Sequence, residues 1–340
     1  MSTSYFYDRC LSRMSIDKSI SIDKSIVLGS ALLIFLTIMG GFLLEGFFSF
    51  QNLRSVLLLA AFLGIASLGQ TLVALLGGLD LSIPFIIGSA NILLPSLLSS
   101  GLPPVLAIVI VLMLGALVGL MNGALSFRLQ GQSLIMSLAV GFMAVGATQI
   151  YTSIGSEFGG NVFTPIPEWL RNLAAFNGVT FGIQIPPVVF IWAAISILLI
   201  WLMRNTWFGI SIYAVGGSRV AAHRLRISES RTWIQVHGIS GFMSATAGIL
   251  LLGFSGGGFV GVGDPYLFTT VAAVVIGGTS LLGGSGGYGA TILGVLVLTV
   301  LTSLLVGLGL SFAAQQAVIG SFIIPMVAVY ARSKHIRNQI

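Results

Sequence analysis

The amino-acid sequence predicts an all-α, polytopic membrane protein with about ten transmembrane helices and both termini in the cytoplasm. Three observations support this prediction. Only 7% of the 340 residues are charged, against roughly a quarter in soluble domains. The mean hydropathy is +1.05. Apolar runs close to the ~20 residues that a helix needs to cross the hydrocarbon recur along the chain.

Ten apolar segments are candidates for transmembrane helices. Together they form a membrane domain over residues 26–330, between a polar tail (1–25) and a basic tail (331–340). The polar tail contains an exact tandem repeat of S-I-D-K-S-I, which we interpret as a small duplication in a solvated segment. The segments are residues 26–44, 55–76, 84–98, 104–125, 133–154, 187–203, 232–252, 266–282, 290–306 and 314–330.

The distribution of basic residues predicts the orientation, because Lys and Arg accumulate on the cytoplasmic side. With the N-terminus inside and ten crossings, only Arg54 and Arg171 of the fifteen basic residues fall outside. Removing one of the first five segments would place the most basic loop, residues 204–231, on the outer face. The charges therefore favour six crossings before this loop. Its arginines are Arg204, Arg219, Arg224, Arg226 and Arg231.

No catalytic, metal-binding or cofactor-binding pattern is present in the sequence. The single cysteine, Cys10, cannot form an intrachain disulfide. We interpret the three histidines as interfacial or solvated residues: His223, His237 and His335. The phosphate-binding pattern G-x-x-x-x-G-K-[ST] is missing. Gly284–Gly289 matches G-x-G-x-x-G, but it lies between apolar helices and not in a βαβ unit. The basic residues are dispersed among apolar segments, so we expect no nucleic-acid partner.

Three glycines in the fourth segment recur at every fourth position. Gly115, Gly119 and Gly123 fall on one face of the predicted helix. A stripe of this kind allows the backbone of a neighbouring helix to approach closely. The pattern predicts a tight helix–helix contact at this face.

An acid and a hydroxyl lie in the short stretch between the second and third segments. Asp80 and Ser82 follow Gly77-Gly78 and precede Pro84. A carboxylate near the hydrocarbon is costly and usually functional, so both residues are candidates for the translocation path. The alternative is that one of them caps the following helix, whose early proline fits a first turn. The two roles are compatible.

A second glycine pair follows the apolar run of the eighth segment. Paired glycines break a helix and expose backbone groups, which a membrane tolerates only where protein or a water-filled cavity satisfies them. Close packing alone is the alternative. The residues that we expect to line or gate the path are Gly277, Gly278, Thr279 and Ser280.

Four stretches, in order along residues 50 to 330, resemble signatures of the ribose-type permeases of ABC importers. Gly77–Ser82 resembles G-G-I-D-L-S, and Ala272–Leu281 resembles A-A-V-V-I-G-G-T-S-L. Gln315–Gly320 resembles Q-Q-V-V-I-G. The fourth stretch is similar to the Y-A-V-G-G-N-P-x-A-A-R-L-S-G-I cytoplasmic loop, through Tyr213, Gly216, Gly217, Ala221, Ala222 and Ile227.

The sequence departs from the family pattern at several positions. Ile83-Pro84-Phe85 replaces V-G-S after the acidic motif, and Ser137-Leu138-Ala139 replaces T-L-G in the fifth segment. In the cytoplasmic loop, Ser218-Arg219 replaces N-P and Leu225-Arg226 replaces S-G. The departures near Ser82 and Ser137 bear on the solute, and those in the loop bear on the partner.

The resemblance implies a transport complex. Two membrane subunits, either two copies of the permease or a copy and a paralogue, would pair with two cytoplasmic ABC ATPase subunits. A periplasmic or lipid-anchored binding protein would deliver a monosaccharide. The loop at residues 204–231 would carry a short coupling helix, capped by Gly216-Gly217, that contacts the ATPase. The alternative for this loop is a positive-inside segment that binds anionic membrane lipid.

Other functions are weighed against this one. An ion-driven secondary transporter would place ionisable groups in mid-membrane, whereas most of the segments lack a central carboxylate. An intramembrane enzyme would need a His-rich or paired-carboxylate set. Within the permease class, the solute stays open among sugars, nucleosides, a furanosyl signalling molecule and amino acids.

Overall fold

A computed structural model describes residues 24–129, 132–153 and 162–331 of the protein. Within these ranges the chain is helical, apart from turns and two isolated bridge pairs, Val162 with Gly258 and Thr180 with Ile183. Residues 15–23 of the tandem repeat, His335 and the basic residues of the C-terminal tail lie outside the described residues. The helices follow one another as α1 (Lys24–Leu43), α2 (Phe50–Leu75), α3 (Ile83–Ser99), α4 (Pro104–Arg128), α5 (Ser133–Ser153), α6 (Glu168–Ala174), α7 (Pro187–Asn205), α8 (Trp207–Gly217), α9 (Arg219–Arg224), α10 (Glu229–Ser255), α11 (Tyr266–Ile276), α12 (Tyr288–Gly307) and α13 (Phe312–Ala331).

Each predicted transmembrane segment overlaps a helix, and the polytopic all-helical fold is confirmed. Among the described residues, seven helices are long and apolar enough to cross a membrane: α1, α2, α4, α5, α7, α10 and α12. Helix α3 has 17 residues and α11 has 11. The count of ten crossings and the side of the termini therefore stay predictions.

The eighth predicted segment was wrong at its C-terminal end. It was expected to continue to residue 282, but α11 ends at Ile276. Gly278 takes a left-handed φ of 83°. Its N–H donates to the Val275 carbonyl at 2.8 Å, and the Thr279 N–H donates to the Val274 carbonyl at 3.1 Å. This is a glycine-based helix stop, because only glycine adopts that conformation without a steric cost.

Helix α2 forms the centre of the molecule. From Leu58 onward almost every residue of α2 is buried, against α10, α12, α11 and α7. The peripheral helices expose large apolar side chains instead, such as Phe42 at 87% and Ile135 at 61%. In a bilayer such faces contact lipid, since apolar side chains cost nothing against hydrocarbon. The arrangement places any buried polar group near α2 deep inside the protein.

The predicted glycine stripe of α4 is a close contact with α10. A Cβ at Gly119 would overlap the His237 carbonyl oxygen, and one at Gly123 would lie 2.9 Å from the Ile234 Cα. On α10, Gly241 is equally tight against the Gly115 carbonyl. The two backbones therefore touch along the stripe, as the spacing predicted.

Arg54, which the charge count predicts on the outer side of the membrane, packs against the segment that joins α6 to α7. Its guanidinium donates to the Asn177 Oδ1 at 3.2 Å and to the Gln184 Oε1 at 2.9 Å. It also lies over the Phe176 ring, 5.2 Å from the centroid. Buried charges need such partners, so Arg54 holds this loop against the start of α2.

Candidate functional site

Asp80 is the centre of a buried polar cluster between α2 and α3. Its side chain is 1% exposed. Oδ1 accepts hydrogen bonds from the Ser82 N–H at 3.0 Å, the Ser82 hydroxyl at 2.5 Å and the Asn122 amide at 3.0 Å. Oδ2 accepts one from the Ser240 hydroxyl at 2.7 Å. One carboxylate thus ties the start of α3 to α4 and α10.

The backbone around Asp80 explains how it reaches this place. Helix α2 ends at Leu75 because Gly77 takes a left-handed φ of 82°. The Gly77 N–H donates to the Ala74 carbonyl at 2.8 Å, and the Gly78 N–H donates to the Val73 carbonyl at 3.1 Å. The chain then reverses into α3. We call residues 76–82 the first glycine turn.

The capping alternative is wrong for Ser82, and Asp80 forms a turn before α3 without capping the helix itself. Asp80 accepts the Ser82 N–H, two residues further on, as Asp does in turns before helices. The Ser82 side chain makes no capping bond to α3. Its hydroxyl donates to Asp80 instead. A role of either residue in the translocation path stays a prediction.

One further side chain extends the cluster, and another lies beside it. The Ser126 hydroxyl donates to the Asn122 Oδ1 at 3.0 Å, one turn along α4. On α5, the Ser137 hydroxyl oxygen accepts the Leu81 N–H at 3.1 Å. Ser137 is one of the departures from the family pattern, and it lies against the first glycine turn. We define the Asp80 cluster as Asp80, Ser82, Asn122, Ser126 and Ser240.

His237 is buried and not solvated, which corrects the expectation for this residue. It is 1% exposed, one turn before Ser240 on α10. Its Nδ1 lies 2.9 Å from the Trp233 carbonyl oxygen. Since a carbonyl only accepts, Nδ1 carries a proton. The ring stacks on Trp233 with centroids 5.5 Å apart, and Trp233 in turn packs on Gly78. His223 is exposed, as expected.

In the second glycine turn, residues 277–287, side chains accept hydrogen bonds from the backbone of the turn itself. The Thr279 hydroxyl oxygen accepts the Gly287 N–H at 3.1 Å. The Ser280 hydroxyl oxygen accepts the Leu282 N–H at 3.1 Å. A Cβ at Gly277 would lie 2.5 Å from the Ala290 carbonyl oxygen of α12. Close packing therefore explains this glycine, and a path-lining role of the turn stays a prediction.

The two glycine turns meet α8 at one place, which we call the junction. The Gly284 N–H donates to the Leu75 carbonyl at 2.9 Å. The Tyr213 hydroxyl donates to the Gly286 carbonyl at 2.9 Å. A Cβ at Gly216 would overlap the Leu75 carbonyl oxygen. The segment at 204–231 is thus in direct contact with the end of α2 and with the second glycine turn.

The expected capping role of Gly216-Gly217 was wrong. Neither residue takes a left-handed φ. Gly216 instead permits the close approach to Leu75, and α8 simply ends at Gly217. The next helix, α9, starts separately: the Ser218 hydroxyl oxygen accepts the Ala221 N–H at 3.3 Å.

The coupling candidates separate into buried and exposed residues. Ala222 is 1% exposed and Ile227 is 7% exposed, and both pack with Val215 and Trp233 in one apolar cluster. Ala221 and Gly217 are exposed. Only the exposed residues are available to a partner in this conformation, and the buried ones position them.

The charges around α8 and α9 are only partly paired. Arg219 forms an ion pair with Glu229 at 3.1 Å between Nε and Oε1. Arg204, Arg224, Arg226 and Arg231 have exposed side chains. Burial raises the pKa of the Tyr213 hydroxyl, and the positive charge of Arg204 offsets part of this rise. Tyr213 therefore keeps its proton at neutral pH and can donate to Gly286.

Sequence reasoning missed Asn122, Ser240 and Trp233. The available signal for Asn122 was an amide inside an otherwise apolar helix, next to the glycine stripe. No signal in the sequence pointed to Ser240, because a serine in a helix commonly donates its hydroxyl to a backbone carbonyl of the same helix. In the described part of the chain, no three His, Cys, Asp or Glu side chains gather as metal ligands would.

Residues 52–329 match the protein family described as the permease component of the branched-chain amino acid transport system. This match covers most of the chain, and the protein belongs to this family of membrane transport permeases.

Curated relatives resemble the chain over most of its length. The ribose import permease protein RbsC of Haemophilus influenzae is 30% identical over 304 residues, which cover 88% of this chain and 90% of the relative. RbsC of Bacillus subtilis is 31% identical, covering 87% and 89%. The autoinducer 2 import system permease protein LsrD of Escherichia coli is 30% identical, covering 82% and 83%. These matches confirm the resemblance to ribose-type permeases. No solved structure gives a significant match.

Proposed function

We propose that the protein is the membrane permease subunit of an ABC importer for a sugar or sugar-like solute. The observation that carries the proposal is the similarity to ribose import permeases along 88% of the chain. The sequence lacks the G-x-x-x-x-G-K-[ST] pattern. ATP hydrolysis would therefore be supplied by a separate cytoplasmic subunit, and this chain would provide the route across the membrane.

The partners in this proposal are two ABC ATPase subunits, a second permease copy or paralogue, and a periplasmic or lipid-anchored binding protein. The complex would sit in the bacterial inner membrane, with both termini of this chain in the cytoplasm. Relatives named for ribose and for autoinducer 2 support a sugar or sugar-like solute. An ion-driven mechanism is not favoured.

The proposed contact with the ATPase is the exposed face of α9 and the residue that ends it. Val220 and Ala221 on the helix are exposed, Val220 at 65%, and Leu225, directly after the helix, is 42% exposed. Apolar side chains on a short helix among arginines suit a cleft in a soluble partner. The buried side of α9 packs through Ala222 in an apolar cluster with Ile227 and Trp233.

The junction supplies a mechanical route from α9 to the membrane helices. Helix α8 contacts the last residue of α2, directly before the first glycine turn, through Gly216, and it contacts the second glycine turn through Tyr213. A displacement of α8 and α9 on ATPase closure would shift both turns together, as a rigid body. The turns end α2 and α11, so their displacement would change the access to the path. Alternating access would follow from this movement.

We assign Asp80 and Ser82, together with Gly277, Gly278, Thr279 and Ser280, to the gate of this path. Asp80 is 1% exposed and Thr279 is 2% exposed, and both are bonded to protein groups. Their engagement with the backbone supports a role in shaping the gate. Direct recognition of the solute would fall mainly to the binding protein.

Reconstitution in liposomes tests the function. The permease, its ATPase and the binding protein are combined, and ATP hydrolysis is measured with and without monosaccharide. The sugar-loaded binding protein should stimulate hydrolysis. In cells, uptake should stop on ATP depletion and persist with an uncoupler. If the binding protein fails to stimulate hydrolysis with every monosaccharide tested, the sugar assignment is contradicted. Uptake that an uncoupler abolishes would indicate an ion-driven carrier.

The contact with the ATPase is tested by Ala221→Glu. This substitution places a charge on the exposed face of α9, so the ATPase should no longer co-purify while membrane insertion is unchanged. Ala222→Glu serves as a contrast, because a charge at this buried position should destabilise the permease itself. Val179→Glu, exposed in the outer loop, is the matched control. Retained co-purification in Ala221→Glu would refute the assignment of α9.

A further inference from the structure

An open groove of about 660 Å³ runs between α4, α8 and α10, away from the Asp80 cluster. Ala116 and Leu120 of α4 line one wall, and Trp207 and Ser211 of α8 line another. Its floor is the tight α4–α10 contact, where Leu120 lies against Gly238. The volume falls within the range of small-molecule sites, roughly 300–1,000 Å³.

The polarity of the groove changes along α10. Its lining begins with Gln235 and continues through Gly238 and Ile239 to Phe242 and Met243. These residues follow the i, i+3, i+4, i+7 spacing of one helix face. The groove is therefore polar towards the start of α10 and apolar in the depth of the membrane, as a phospholipid is along its length.

Arg231 adds a positive charge at the polar end. It precedes Gln235 by one turn on the same face of α10, and its side chain is exposed. It makes no ion pair with an acidic residue of the described ranges. A cation is unfavourable in the first turn of a helix, where the dipole favours an anion. The Ser228 hydroxyl and Glu229 already serve this helix end, so a bound phosphate beside Arg231 would act on the cation alone.

Trp207 indicates where the polar end of the groove lies relative to the membrane surface. It is 54% exposed and lies at the start of α8, on the rim of the groove. Exposed tryptophans concentrate at the interface between hydrocarbon and headgroups. Basic pockets between transmembrane helices on the cytoplasmic side are known to bind lipid headgroups.

We propose that this groove binds one anionic phospholipid. Its phosphate contacts Arg231 and Gln235, and an acyl chain lies along Leu120, Ile239 and Phe242. The length of the apolar stripe and the single charge at one end fit a lipid better than a helix from a second copy, which would bring its own apolar side chains against Gln235 and Arg231. The proposal requires only a membrane-embedded chain and does not depend on the transported solute.

Native mass spectrometry of the purified full-length protein in detergent tests this site. Phosphatidylglycerol and phosphatidylcholine with identical acyl chains are added in turn, and bound lipid is counted. The unmodified protein should retain one phosphatidylglycerol in preference. Arg231→Gln should reduce its retention about fivefold relative to phosphatidylcholine, the loss of a contact of ~1 kcal/mol. Arg171→Gln removes one exposed charge far along the chain and should leave retention unchanged.

A second variant tests the apolar part of the groove. Ala116→Phe should fill it and lower the retention of both lipids. Ala193→Phe, on the exposed face of α7 and outside the groove, is its control. Equal retention in Arg231→Gln, Arg171→Gln and the unmodified protein would overturn the proposal. So would a change in the oligomeric state, with unchanged lipid retention, in Ala116→Phe, because that result would assign the groove to a second copy. Neither readout involves transport or ATP hydrolysis, so this proposal can fail while the proposed function stands.

Discussion

Asp80 accepts four hydrogen bonds from three segments of the chain, and this explains how a carboxylate can be buried there. Removing a carboxylate from water is costly unless hydrogen bonds compensate for the lost hydration. Bonds to an ionised group are shorter and stronger than neutral ones, and the Ser82 and Ser240 hydroxyls lie at 2.5 and 2.7 Å. The residue thus stabilises the first glycine turn whatever else it does.

Asp80→Asn should lower the stability of the protein. An amide keeps a single acceptor oxygen and brings two hydrogens, so at least one of the donors on α3, α4 or α10 loses its partner. An unsatisfied buried donor costs about 1–3 kcal/mol. The apparent Tm of the protein in detergent measures the loss. Asp264→Asn, at an exposed position, is the control, and an equal change in both variants would contradict the role of the cluster.

Gly216 and Gly217 are adjacent in sequence but differ in what surrounds them. A Cβ at Gly216 would overlap the Leu75 carbonyl oxygen, whereas one at Gly217 would meet only the Gly284 Cα at 4.0 Å. Gly216→Ala should therefore destabilise the junction by about 1–3 kcal/mol.

Gly217→Ala is the matched control for this prediction. Alanine is favoured over glycine in a helix by up to ~1 kcal/mol, so this variant should be neutral or slightly more stable. The comparison is made by apparent Tm and by the rate of ATP hydrolysis in the reconstituted complex. Equal losses in both variants would mean that the glycine pair acts through its flexibility and not through the contact with Leu75.

At the scale of elements, the α4–α10 pair follows directly from spacing. Glycines four residues apart predict a close helix contact, and the contact exists. The spacing did not identify α10 as the partner helix, because many helices of the chain carry small residues. The end of α11 was misplaced for a related reason: Leu281 and Leu282 continue the apolar run, and hydropathy does not register the left-handed φ at Gly278.

The polar contacts were the least predictable part of the candidate site. Asp80 stands out in the sequence because a carboxylate is rare in such surroundings. Its partners Asn122 and Ser240 are separated from it by 42 and 160 positions. Only the packing of α4 against α10, which is fixed by the glycines, brings the amide and the hydroxyl to the same carboxylate.

Gly119→Ala tests the α4–α10 contact. The added methyl group would overlap the His237 carbonyl oxygen, so the helices must separate. The stability should fall by about 1–3 kcal/mol, and the shift should reach the Asp80 cluster, which spans the same two helices. Gly146→Ala on α5 has open space around its Cβ and is the control. A Tm unchanged in both variants would contradict the close contact.

For the whole molecule, the packing is compatible with the orientation that the charge distribution predicts. The exposed arginines of residues 204–231 surround α9, and the buried Arg54 lies with the segment at 175–186 at the opposite end of α2. Helix α2 has 26 residues, and at 1.5 Å per residue it is long enough to span the bilayer. The segment at 175–186 and the junction lie at opposite ends of this helix, so we predict that they belong to opposite faces of the membrane.

Cysteine labelling tests this orientation. Cys10 is first replaced by serine, and a single cysteine is then introduced at Val179 or at Val220, which are 57% and 65% exposed. A membrane-impermeant maleimide should label Val179→Cys in intact cells and Val220→Cys only after permeabilisation, where both should react. Labelling of Val220→Cys from outside would require an odd number of crossings before α9 or an N-terminus on the outer side. The exposed face of α9 would then be out of reach of a cytoplasmic ATPase, and the coupling assignment would fall together with the topology.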